Sequence, residues 1–201
     1  MHFTGNVWRP PYEAASALLQ VTAGCTHNRC RFCSLYDAPF ALSPAEEVDA
    51  DIEELARYAS RARRVFLTGA NPFGMANARL EPVLERIRER LPHVESIGGF
   101  VRIGDLRHKS DADLVQWARL GVDDLTIGVE TGYDAALAFM DKGHTAADEL
   151  AQCHRLDEAG IRYSFFYLAG IAGAVIVRLA VYAKSKNTKK YRKGVEYGSA
   201  R

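Results

Sequence analysis

Two rhythms of apolar residues alternate along this chain. Short apolar runs recur at Ala17-Leu18-Leu19-Gln20-Val21-Thr22, Arg64-Val65-Phe66-Leu67-Thr68, Ser96-Ile97-Gly98-Gly99-Phe100-Val101, Asp124-Leu125-Thr126-Ile127-Gly128-Val129 and Arg162-Tyr163-Ser164-Phe165-Phe166-Tyr167-Leu168. Their length and β-branched or aromatic content predict five strands, the first of them short and buried. Between them, apolar residues return every three or four positions, as in Val48, Ile52, Leu55 and Ala59, or in Leu80, Leu84, Ile87 and Leu91. That spacing predicts helices. Leu114, Val115, Ala118 and Leu120 mark a third, and a longer stretch from about 133 to 159 a fourth, with Gly160 as its C-cap. Ser43-Pro44-Ala45-Glu46 reads as a helix start with Ser43 as the cap, and Lys142-Gly143-His144-Thr145 as a turn and N-cap.

Five strands with a helix between each pair predict an α/β fold with a parallel sheet and right-handed crossovers. Five repeats fall short of a closed eight-stranded barrel, so the expected architecture is a partial (β/α) TIM-like barrel of five to six strands. Three segments are expected: an extended lead-in over 1–16, held out of helix by Pro10 and Pro11; the partial barrel over 17–174; and an atypical basic tail over 175–201. The unusual residues gather just after each strand. They are the cysteines 25–33, Gly69–Gly74, Arg102, Glu130 and Ala169–Gly173, so all five groups should face one rim.

Composition adds little except for charge and cysteine. The chain has 201 residues, 48% apolar and 25% charged, which suits a globular domain. Its net charge of +1 is unevenly spread. The eight Lys/Arg and one Glu after residue 174 leave 18 basic and 24 acidic residues before it, a body of −6 and a tail of +7. An acidic body provides no electrostatic footprint for nucleic acid. No apolar run approaches a membrane span, and the N-terminus lacks a signal-peptide pattern, so a cytoplasmic location is expected.

Three of the four cysteines fall in Cys25-Thr26-His27-Asn28-Arg29-Cys30-Arg31-Phe32-Cys33, spaced C-x4-C-x2-C. Clustered thiols in a cysteine-poor chain point to metal or redox chemistry. Polar Thr26, His27, Asn28 and Arg29 make a poor core segment, which argues against inert buried cysteines. Structural zinc would need a fourth ligand, such as His27 or the distant Cys153. An iron–sulfur cluster held by Cys25, Cys30 and Cys33 would keep one iron open.

This loop, with Phe32 before its last cysteine, resembles that of the radical S-adenosylmethionine (radical SAM) enzymes. Their commonest spacing is C-x3-C-x2-C; the longer first gap found here occurs in some subgroups. The resemblance covers about residues 15–173. It implies a [4Fe-4S] cluster whose open iron binds the amino and carboxylate groups of S-adenosylmethionine, with reductive cleavage to methionine and a 5′-deoxyadenosyl radical. It implies that Gly69, Ala70 and Asn71 take the methionine amino group, although the usual Gly-Gly-Glu is absent. Glu130 would meet the ribose or methionine part, and Leu168, Gly170 and Ile171 the adenine. Phe32 would pack beside the adenine, and Arg102 would either face the site or pair with Asp105. A reductant such as flavodoxin or ferredoxin is implied, with a small-molecule or macromolecular substrate that the chain does not identify.

The tail departs from this family. Val175–Tyr182 reads as a sixth strand or a helix, and Lys184–Lys193 has a disordered composition. The expectation is a C-terminally truncated or altered member, of the kind a shifted reading frame would produce. Two competing expectations follow: a cluster-binding chain without turnover, and a zinc-stabilised binding module.

Overall fold

The computed structural model describes residues 1–171 except 37 and 60. The reading of 175–201, strand or helix and basic tail, lies outside the described residues.

The five strands form as the apolar runs require. They are β1 (Ala17–Gln20), β4 (Arg64–Thr68), β5 (Ser96–Val101), β6 (Leu125–Glu130) and β7 (Tyr163–Tyr167), in a parallel sheet of order β1-β4-β5-β6-β7. Two further strands, β2 (Thr22–Ala23) and β3 (Ala41–Leu42), pair antiparallel with Thr22 opposite Leu42. The register places Leu19 beside Leu67, Leu67 beside Gly99, and Ile127 beside Phe165. Each crossover carries helix: α1 (Ala45–Tyr58), α2 (Asn77–Arg90), α3 (Ile103–Leu106) with α4 (Asp111–Arg119), and α5 (Asp134–Phe139) with α6 (Ala146–Ala159). The helices bury Ile52, Leu80, Leu84, Ile87, Leu114, Trp117 and Leu156 against Leu19, Val65, Leu67, Ile97 and Ile127 of the sheet. Each such side chain contributes about 1.5–3 kcal/mol on leaving water.

Three local expectations are corrected. The first strand ends at Gln20, not at residue 22, because Thr22 turns away to pair with β3. This β2–β3 pair ties the base of an excursion, residues 24–40, that carries all three clustered cysteines. Ser43 does not cap α1: its N–H donates to the carbonyl of Val21 and continues the pair, and Pro44 takes the cap position with no side-chain cap. The 133–159 stretch breaks into α5 and α6 because Asp141 (φ +52°) and Gly143 (φ +80°) turn left-handed between them. Thr145 then caps α6 in a reciprocal capping box with Asp148, and Gly160 closes it at φ +76°.

The lead-in is not extended throughout: Pro11–Glu13 forms a 3-10 turn, which a proline suits at its first position, and the segment is tied down as a strap. His2 bonds Asp51 of α1, and Thr4 bonds the Gln20 side chain of β1. Farther on, Tyr12 Oη lies 3.0 Å from Thr126 Oγ1, and Glu13 holds Arg64. The segment thus runs from one edge strand, β1, to the β6–β7 side of the sheet.

Candidate functional site

The strand ends converge on a cavity of about 150 Å³. Cys25, Cys30 and Cys33 line it together with Ala70 after β4, Arg102 after β5, and Glu130 at the end of β6. No disulfide joins the thiols; Cys25 and Cys30 are half-buried and Cys33 is exposed. Burial pushes the Cys30 thiol up, while the cations Lys142 and Arg102 pull it back toward the thiolate. Among the described residues, no three His, Cys, Asp or Glu side chains converge to hold a single metal ion.

Glu130 is the most constrained residue here. Its φ is +67°, a left-handed conformation costing roughly 1–3 kcal/mol for a residue with a side chain. That backbone lets its carboxylate reach Lys142 Nζ at 2.7 Å, with both side chains buried. Gly128 makes room for the pair, since a Cβ there would stand 2.9 Å from Glu130 Oε1 and 3.2 Å from Lys142 Nζ. The ammonium also lies 5.3 Å from the centroid of the Phe32 ring. One cation is thereby shared between a carboxylate and an aromatic face of the cysteine loop.

A second network braces the loop from the β4 and β5 sides. The Thr26 N–H donates to Asn71 Oδ1, and Asn71 Nδ2 donates to Thr26 Oγ1 and to Asp105 Oδ2. The Thr26 hydroxyl donates to Asp105 Oδ1, and Arg102 Nη1 stands 3.7 Å from the same oxygen. Arg102 therefore does both things considered for it: it faces the cavity and it pairs with Asp105.

Of the other expected site residues, Phe32 and Ala70 line the cavity. Asn71 is fully buried, its amide engaged by Thr26 and Asp105, and it braces the loop instead of lining the wall. Gly69 (φ +116°) packs against Thr22, where a Cβ would come within 2.1 Å of the hydroxyl. Leu168 donates its N–H to the Glu130 carbonyl, and Ile171 packs on Ala136, Leu137 and Met140. Gly170 is at φ +83°, and among the described residues nothing stands within 4 Å of where its Cβ would be. Cys153 is buried in α6, outside the cavity wall, and burial raises its thiol to about 12.

The cavity also takes residues that sequence reasoning passed over. Lys142 lay hidden in a turn motif, and its only signal was a basic residue between two positions suited to left-handed backbone. Trp8 comes from the strap, its indole N–H donating to the Leu35 carbonyl. Tyr36 lines the same wall with a buried hydroxyl that finds no partner among the described residues, and burial pushes its phenol up. Phe100 and Phe166 add an apolar inner wall, their ring centroids 5.9 Å apart.

These residues fit a thiolate-held iron–sulfur group with a polar ligand beside it. The donor set is three free thiols. Two cations and a carboxylate stand at the same wall, and the Tyr36 hydroxyl has a hydrogen bond to offer.

Comparison with known proteins agrees. The family model described as "Radical SAM superfamily" matches residues 19–173. A tRNA-2-methylthio-N(6)-dimethylallyladenosine synthase from Hahella chejuensis (strain KCTC 2396) is 29% identical over 174 residues, covering 82% of this chain and 38% of that protein. Among solved structures, the cobalamin-dependent S-adenosylmethionine radical enzyme OxsB superposes with a TM-score of 0.61 at 18% identity, over 76% of this chain and 23% of that one. Methylornithine synthase (PylB) gives 0.58 at 17% identity, over 78% and 45% respectively. The chain thus spans less than half of the length of each of these relatives.

Proposed function

Because the chain belongs to the radical SAM superfamily, we propose that its strand-end cavity holds a [4Fe-4S] cluster and S-adenosylmethionine for radical chemistry on a substrate yet to be identified. The observation that carries this reading is the meeting of Cys25, Cys30 and Cys33 with the buried Glu130–Lys142 pair on one cavity wall. When bound, the cluster and S-adenosylmethionine supply one-electron chemistry that opens a carbon–hydrogen bond of the substrate.

The chain's own residues do the placing. Cys25, Cys30 and Cys33 would be the three cluster ligands. Lys142 and Arg102 present positive charge to a ligand carboxylate, and Glu130 offers an acceptor to an amino group or a ribose hydroxyl. Phe32 gives a flat apolar face beside them. Trp8 and Phe166 narrow the access of water, which strengthens each of these charge contacts. The relative from Hahella chejuensis is named for tRNA adenosine chemistry. The body of this chain carries a net charge of −6, and we assign no RNA substrate.

Anaerobic reconstitution tests the reading. Loading with iron and sulfide should give roughly four of each per chain and a brown cluster absorbance. Reduction with S-adenosylmethionine present should release 5′-deoxyadenosine. Zinc bound in place of iron would overturn the cluster; a loaded but silent chain would overturn turnover alone.

A further inference from the structure

Four consecutive backbone carbonyls between α5 and α6 are each taken by a donor from another part of the rim. The Arg31 N–H donates to Met140 O at 2.9 Å, and His27 Nε2–H donates to Asp141 O. Arg102 Nη2 donates to Lys142 O at 3.1 Å, and Arg107 Nη2 to Gly143 O at 3.1 Å. Two donors thus come from the cysteine loop and two from the segment after β5. The left-handed backbone at Asp141 and Gly143 ends the helix here and leaves these carbonyls to outside donors.

His27 is fitted to this turn. Only a ring nitrogen bearing hydrogen can bond a carbonyl, so Nε2 is the protonated one. Its ring covers Gly143 so closely that a Cβ there would stand 2.9 Å from Cε1 and 3.3 Å from Nδ1. The residue between the two contacts is Lys142, whose ammonium reaches Glu130 and the Phe32 face.

We propose that the Met140–Gly143 turn couples the cysteine loop to the Glu130–Lys142 pair, with His27 as the positioning residue that sets Lys142 in register with the thiols. The coupling itself needs no bound group. Its effect on a ligand rests on the proposed function.

The experiment therefore has two arms. In the metal-free chain, His27→Phe keeps a ring but removes the donor. Amide hydrogen exchange over 140–144 should rise about tenfold, the equivalent of one net hydrogen bond, while His27→Gln, which still donates, should recover much of the protection. In the reconstituted chain, His27→Phe should hold the parent's iron content. It should need about tenfold more S-adenosylmethionine to shift the electron paramagnetic resonance signal of the reduced cluster, with His27→Gln again intermediate. Gly143→Ala displaces the ring from the other side and should reproduce both effects if His27→Phe folds poorly. Unchanged exchange overturns the coupling. Faster exchange with unchanged S-adenosylmethionine response reduces His27 to a structural contact and overturns its positioning role. A parent chain that loads no cluster sinks the proposed function, and the exchange arm then decides the coupling alone.

Discussion

Lys142 and Glu130 meet at 2.7 Å on the cavity wall, each side chain less than a tenth exposed. They lie 12 residues apart, with the whole of α5 between them. Two charges held this far from water are tolerable only as a pair. Lys142→Met should leave Glu130 buried and unpaired, lowering stability by about 3–5 kcal/mol in denaturant titration. Lys142→Met with Glu130→Gln should regain most of that loss. Equal losses in the single and double variants would show that the pair is not formed in solution.

Gly143→Ala should destabilise by roughly 1–3 kcal/mol, since the left-handed position strains any side chain. The His27 ring adds a clash at 2.9 Å. Adding His27→Ala should relieve the clash and leave the backbone strain. A denaturation midpoint for the double variant above that of Gly143→Ala alone is the expected sign.

Arg64 occupies the space that a side chain at position 98 would need. A Cβ on Gly98 would stand 1.9 Å from Arg64 Nη2. That guanidinium cannot simply swing aside: it bonds Glu13, Ser96 and the carbonyls of Asp123 and Asp124. Gly98→Ala should expel it and leave buried Glu13 without its cation, a loss of about 3–5 kcal/mol. A thermal midpoint unchanged from the parent would mean that the strap residue Glu13 is not held in this way.

Stability should depend on pH through Glu149. Burial raises its carboxyl above the ordinary 4.5, and the His144 hydrogen bond only partly offsets this. The unfolded chain therefore releases this proton first, and the stabilisation present below pH 4.5 is lost as pH rises through the folded value. Glu149→Gln keeps an acceptor for His144 and removes the charge. It should be more stable than the parent at pH 7–8 and indistinguishable from it below 4.5, as read by denaturation across that range.

The four cysteines should separate cleanly by iron content after reconstitution. Cys30→Ser should lose the cluster absorbance, because its thiol is one of the three at the cavity. Cys153→Ser should load like the parent, since that thiol is buried in α6 and held protonated. Loss of loading in Cys153→Ser would revive a four-thiol site.

Much of this was legible in the residues. Local periodicity reports which face of an element is buried, so Val65–Leu67 and Ile127 read as strands, and Leu80, Leu84 and Ile87 as a helix stripe. The loop Cys25–Cys33 stood out because three thiols in nine residues have few uses besides metal or redox chemistry. Chain order placed Arg102 and Glu130 on the same rim, since parallel strands all end on one side. Thr145 and Gly160 marked the ends of α6 by cap chemistry that acts within one turn.

What the residues by themselves determined was therefore everything set by neighbours along the chain: five strands, their crossovers, a loop of three clustered cysteines, and the rim it stands on. The tertiary structure alone decided which side chains meet across long separations. Lys142 read as part of a turn, and only the left-handed backbone at Asp141 and Gly143, with the space left by Gly128, aims it at Glu130. Asn71 read as a ligand contact, and only the fold shows that its amide also ties the cysteine loop to Asp105. Trp8 read as a lead-in residue and became a cavity wall, because the strap crosses from β1 to the β6–β7 side. Periodicity carries no information about such meetings. They depend on where separate elements are packed, and packing is a property of the whole fold.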